Sequence, residues 1–194
     1  KRHYVRTIQL LRRLDNLVAT TRYTDESFNA EGAGENNVPA FDPNENTAVL
    51  LVNGFNGLGL HTLFSIIRLF KKFYKNFIFL QVGVIDAGNF KGAEEVDRLQ
   101  AHIKNDVNRY VEFMQRHGYY AEGVTSIGID IVEQVSDVAP KIQKRFPQAV
   151  FFGGQLVFPQ DTVLTRLLHN YIAFSVQRRF YRMGIPFVIL PIRV

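Results

Sequence analysis

From Thr47 onward, short continuous apolar runs alternate with longer stretches whose apolar residues recur every three or four positions. A continuous run suits a strand buried on both faces, and the longer spacing suits a helix laid over it. The runs cover residues 47–52, 77–85, 119–126, 149–152 and 187–192. Helical stripes cover 58–74, 93–117, a stretch opening at Asp130, and 163–182. The clearest stripe is Val96, Leu99, Ile103, Val107, Tyr110 and Met114. The last helix is expected to turn Leu164, Leu167, Leu168, Tyr171 and Ser175 inward. Gly118 and Gly184 stand where C-terminal caps belong. Pro140 should kink the third helix or divide it. Strands separated by helices make a parallel sheet covered on both faces. With right-handed crossovers the expected fold is α/β, a doubly wound five-stranded parallel sheet of order 3-2-1-4-5.

Residues 46–67 hold no Asp, Glu, Lys or Arg and are long enough to cross a bilayer. A span is rejected, because Asn46, Asn53, Asn56 and His61 would need partners in hydrocarbon and three glycines interrupt the run. Strand, glycine loop and helix is the better parse. The N-terminal residues lack the apolar core of a secretory leader, so the chain is expected to be soluble by itself.

Charge divides the 194 residues unevenly around a net +5. Residues 1–19 carry Lys1, Arg2, Arg6, Arg12 and Arg13 against Asp15. Ile8, Leu11, Leu14, Leu17 and Val18 form a stripe there, which predicts a basic amphipathic helix before the sheet. Residues 20–46 carry Arg22 against six acids and lack periodicity, which reads as an acidic linker open to disorder. Residues 47–194 form the α/β domain. The basic arm has three readings: docking on the domain, a segment beside a bilayer, or a grip on nucleic acid. No nucleic-acid module motif or basic–aromatic alternation accompanies it, so a nucleic-acid partner is not expected. Arg68, Lys71, Lys72 and Lys75 add a basic patch at the end of the first helix. Its plain reading is a favourable helix C-terminus, and its sharper one is a membrane-facing or partner-facing surface.

Chemistry is sparse. The absence of Cys excludes disulfides, thiolate metal sites and Cys nucleophiles. The five His show no metal spacing, and no serine sits in a nucleophile elbow. No catalytic residue, metal or cofactor is expected. The best pocket pairs two loops across the sheet's switch point. One is Asn53, Gly54, Asn56, Gly57 and Gly59 after the first strand. The other is Gly153, Gly154 and Gln155, read as a loop after the fourth. Glycines between strand and helix let backbone N–H groups approach an anion, though they also serve tight turns. The loop at 86–92 reads as a second ligand candidate or a plain helix start.

The strand–helix order resembles the universal stress protein fold. Lys1-Arg2-His3-Tyr4, the run from Asn53 to Thr62, Gly88 to Gly92, Phe151 to Phe158, Leu167 to Asn170 and the closing Pro186 to Val194 are similar to the C-terminal cytoplasmic domain of bacterial amino acid–polyamine–cation superfamily permeases. The resemblance implies a non-catalytic regulatory or assembly domain at the cytoplasmic face of the inner membrane. It also implies the transporter's transmembrane domain as partner, and a homodimer. The opening Lys1, not Met, fits a piece of such a protein. ATP-binding stress proteins place an Asp at the end of strand one and follow strand four with G-x-x-G. Here Asn53 stands at the first position, and no Gly follows Gly154 until Gly184. A nucleotide-sensing module for ATP, AMP or cyclic di-AMP is the alternative.

Overall fold

The structure is a computed structural model that describes residues 40–85, 88, 92–157 and 171–193. Five parallel strands form one sheet in the order β3-β2-β1-β4-β5. The strands are β1 Thr47–Val52, β2 Asn76–Val84, β3 Tyr120–Gly128, β4 Ala149–Val157 and β5 Phe187–Arg193. The helices are α1 Gly57–Phe70, α2 Ala93–Arg116, α3 Ile131–Arg145 and α4 Tyr171–Met183. This is the doubly wound order expected from the alternation. The basic helix and most of the acidic linker fall on residues 1–39, outside the described residues.

Central β1 has Ala48, Val49 and Leu50 fully buried, because helices cover both faces. On one face Leu50, Phe79 and Phe152 pack with Leu63 of α1 and Tyr110 of α2. On the other, Val49, Ile78 and Phe151 pack with Val135 of α3 and Phe180 of α4. α4 therefore turns Val176 and Phe180 inward, while Ser175 is only half-buried. Of the expected stripe, Ser175 gives way to Val176, one position on, while Leu164, Leu167 and Leu168 lie outside the described residues. α2 and α4 end on Gly118 and Gly184, at φ 76° and 69°. Tyr119 and Ile185 then donate back to the carbonyls of Met114 and Phe180, at 3.1 and 3.0 Å. α3 starts on Asp130, whose carboxylate accepts from Glu133 N at 2.8 Å. It is not divided at Pro140, an exposed position, because Val135, Ala139 and Ile142 on either side of it stay packed against the sheet.

Phe41, ahead of β1, packs against Tyr120 and Phe146 with ring centroids at 5.3 and 5.2 Å. The Arg145 guanidinium lies 4.9 Å from its centroid and grips Glu122 at 2.6 and 2.5 Å. The Tyr120 hydroxyl donates to Glu122. Burial first, then the hydrogen bond and charge of Glu122, push the Tyr120 pKa up to about 12. A raised folded pKa favours the protonated form, so this contribution is intact below 10.0 and lost as pH climbs through about 12. Burial raises Tyr74 and Tyr119 in the same direction. The urea midpoint is expected to fall across that window, and to fall less steeply in Tyr120→Phe. Identical slopes in the two proteins would show that Tyr120 contributes nothing.

Candidate functional site

All five strands run the same way, so their carboxyl ends share one edge. At the switch point, β1 leaves for α1 on one face, and α4, the next described element after β4, packs on the other. The crevice between them has a volume of about 420 Å³. Asn53, Asn56, Gly57 and Gly59 line one side of it, and Gly153 and Gly154 the other. Gly54 and Gln155 do not line it.

The Asn53–Gly59 loop owes its shape to two side chains. Asn56 caps α1: its Oδ1 accepts from Gly59 N at 3.0 Å, and its Nδ2 donates to the Asn53 carbonyl at 2.6 Å. Gly54, at φ 86°, makes the left-handed turn between them. Beneath the loop stands Tyr110, fully buried and stacked on Phe79 at 4.9 Å. Its hydroxyl donates to the Gly54 carbonyl at 3.1 Å and accepts from Asn56 N at 3.4 Å. Phe55 packs on the Tyr110 ring at 4.6 Å, with the Arg109 guanidinium 3.9 Å from the Phe55 centroid. The Asn56 amide is thus committed to the turn, and the loop offers a ligand backbone and the exposed Asn53.

Gly153, Gly154 and Gln155 are not a loop. β4 continues to Val157, and the three pair with Ile189, Leu190 and Pro191 of β5. Two glycines end a strand only where nothing rewards their missing side chains. Here something does. A Cβ on Gly154 would lie 2.1 Å from Thr62 Oγ1, and one on Gly153 would lie 2.9 Å from Phe187 Cζ. The glycines let α1 and Phe187 approach the strand and leave the crevice open.

The rest of the lining was not foreseen. Val82 of β2, Ile131 and Val135 of α3, Ile172 and Val176 of α4, and Thr62 of α1 complete the walls. Thr62 hydroxyl is spent on the Leu58 carbonyl, at 2.7 Å. Among the described residues that line the crevice, none carries an ionisable side chain. The walls are apolar and the polar groups sit at the α1 rim.

Arg68, Lys71 and Lys72 lie at the opposite end of the sheet, exposed, where α1 ends. Lys1, Arg2, Arg6, Arg12 and Arg13 lie outside the described residues, as does most of the 86–92 loop. Beside the Gly54 loop, Asp106 takes weak contacts at 3.5 Å from Gln81 Nε2 and His102 Nε2. Among the described residues no group of three or more metal-ligating side chains occurs.

No family model matches the chain, and no curated protein matches it. Solved structures do. A protein from the universal stress protein family of Burkholderia pseudomallei aligns over 75% of this chain and 96% of its own, at 12% identity and a TM-score of 0.52. A universal stress protein from Archaeoglobus fulgidus aligns over 75% of this chain and 93% of its own, at 14% identity and a TM-score of 0.48. At these identities the first likeness speaks for architecture alone: the chain has a universal-stress-protein-like fold.

Proposed function

We propose that this chain is a non-catalytic regulatory domain of a membrane transporter, acting at the cytoplasmic face of the membrane. The observation that carries the non-catalytic part is the crevice lining. Its described walls carry no acid, base or activated nucleophile, which supports a binding role over a catalytic one. Thr62, its one hydroxyl, is already donated to a backbone carbonyl. The transporter part is supported by the resemblance of the glycine loop and of the closing strand to permease domains. Assembly falls to α4, whose outer face exposes Phe174 and Tyr181, a surface suited to a second copy of the chain. The test is the reading frame ahead of Lys1. It is expected to encode a series of apolar spans of about 20 residues each. A frame without them overturns the transporter reading.

A second reading, sensing of a small nucleotide, is favoured by the position of the crevice at the switch point. Apolar walls suit a nucleobase better than a triphosphate, whose charges would meet no cation on the described walls. Calorimetry is expected to rank AMP and cyclic di-AMP above ATP. No heat from any of the three at millimolar concentration removes this reading.

A further inference from the structure

α1 ends unlike α2 and α4. Their ends carry glycine at positive φ, whereas α1 stops on Lys71 at φ 47° and ψ −128°. Glycine adopts that backbone freely, and a residue with a Cβ is strained there. Around Lys71, Arg68, Leu69, Lys72, Phe73 and Lys75 are all exposed. Leu69 and Phe73 are 59% and 54% accessible, high values for large apolar side chains. Phe73 still leans on buried Tyr74, ring centroids 5.0 Å apart, so it is held outward and not folded back into the core.

Cations outnumber acids at this corner, four against Asp42 and Glu45. Between Glu45 and Asp86 the sequence has no acidic residue. Among the described residues none of the four cations forms an ion pair, Asp42 and Glu45 included. Those two acids belong to the segment that leads into β1 at this same end. Lys75 N donates to the Asn46 carbonyl at 3.0 Å, and Asn76 Nδ2 to that of Asp42 at 2.7 Å. The corner is therefore the end of the domain at which the chain arrives from residue 40, and it lies opposite the crevice.

A helix dipole accounts for Arg68 in the last turn. It does not account for two large apolar side chains held in water among four cations, nor for a lysine on backbone that favours glycine. We infer that this corner docks on an anionic lipid bilayer. Phosphate head groups meet the cations while Leu69 and Phe73 enter the interfacial layer, a pairing typical of surface-bound proteins. Nucleic acid would match the charge but offers no apolar phase to the two side chains. The inference rests on the membrane-proximal reading above for its setting. Its assay needs no transporter, so the two can fail separately.

The test is sedimentation of the full chain with vesicles of phosphatidylcholine alone and of an equal mixture with phosphatidylglycerol. Binding is expected to the mixture only, and to weaken as salt rises. Each neutralised cation is expected to weaken partitioning about fivefold, so Lys72→Gln with Lys75→Gln weakens it about thirtyfold. Lys71→Gly is the telling variant. It should lose about fivefold in binding while raising the denaturation midpoint, an outcome that structural damage cannot imitate. Leu69→Ser with Phe73→Ser should also weaken binding. The basic arm is controlled by Arg12→Gln with Arg13→Gln, in which the loss caused by the corner variants must persist. Absence of binding to the mixed vesicles overturns the inference, and so does binding indifferent to the corner variants. Vesicle binding with no apolar spans ahead of Lys1 overturns the transporter reading and leaves the surface standing. Apolar spans without vesicle binding do the reverse.

Discussion

Gly59→Ala is expected to destabilise the domain by about 3 kcal/mol, a large share of the ~5–15 kcal/mol that holds such a domain together. A Cβ at this position would stand 2.0 Å from the Tyr110 hydroxyl and 3.0 Å from Cζ of the same ring. Neither side can yield cheaply. Tyr110 is fully buried and stacked on Phe79, and Gly59 sits in the first turn of α1, where Asn56 holds its N–H at 3.0 Å. Relief requires the ring to move, which breaks the 3.1 Å bond to the Gly54 carbonyl and unsettles the crevice loop. Overpacking costs about 1–3 kcal/mol and a lost buried hydrogen bond about as much again. Tyr110→Phe alone should cost about 1–2 kcal/mol, because it leaves the Gly54 carbonyl and Asn56 N–H without that hydroxyl. In the double variant the clashing oxygen is gone. Its cost should therefore fall short of the sum of the two singles by about 1 kcal/mol or more, read from urea midpoints. Strict additivity would mean that the hydroxyl is not what Gly59 accommodates.

The same reasoning explains which parts of this molecule were legible in its sequence. β1 was found because a strand buried on both faces needs no alternation, so Thr47–Val52 reads as one apolar run. The Gly54 turn and the Asp130 cap were found because their causes are local: the residue that needs the conformation is the residue that signals it. Gly153 and Gly154 carry an equally visible signal, but its cause lies elsewhere. Read locally, two glycines end a strand. In the fold they answer Thr62, ninety-odd positions earlier, and Phe187, thirty-odd positions later on β5. The apolar walls of the crevice were missed for a related reason. Ile131, Val82 and Ile172 differ in nothing local from core residues, and only the splaying of chains at the switch point leaves space beside them. At Pro140 packing overrode the local rule: Val135, Ala139 and Ile142 stay buried against the sheet on either side of it and hold α3 in one piece, against a cost of about 3 kcal/mol.

Gly154→Ala joins this packing argument to the proposed site. The new methyl would overlap Thr62 Oγ1 and press on Leu58 Cδ1 at 3.0 Å. Thr62 is 2% exposed and tied to the Leu58 carbonyl, so it has no free rotamer to retreat into. The start of α1 must lift away from β4. The expected cost is about 1–3 kcal/mol in stability. A second effect should appear at the crevice, since Asn56, Gly57 and Leu58 ride on the same turn and form its rim. A ligand whose calorimetric signal comes from this crevice should therefore lose affinity in Gly154→Ala. Thr62→Ala removes the overlapping oxygen and is expected to restore most of the stability when combined with Gly154→Ala. If the rim geometry alone governs binding, affinity should return with stability in that double variant. A double variant that regains its denaturation midpoint but stays blind to the ligand would place Thr62 itself, and not the spacing it enforces, at the centre of recognition. If neither variant alters a measured binding heat, the ligand lies elsewhere on the molecule, and the crevice is a gap left by packing.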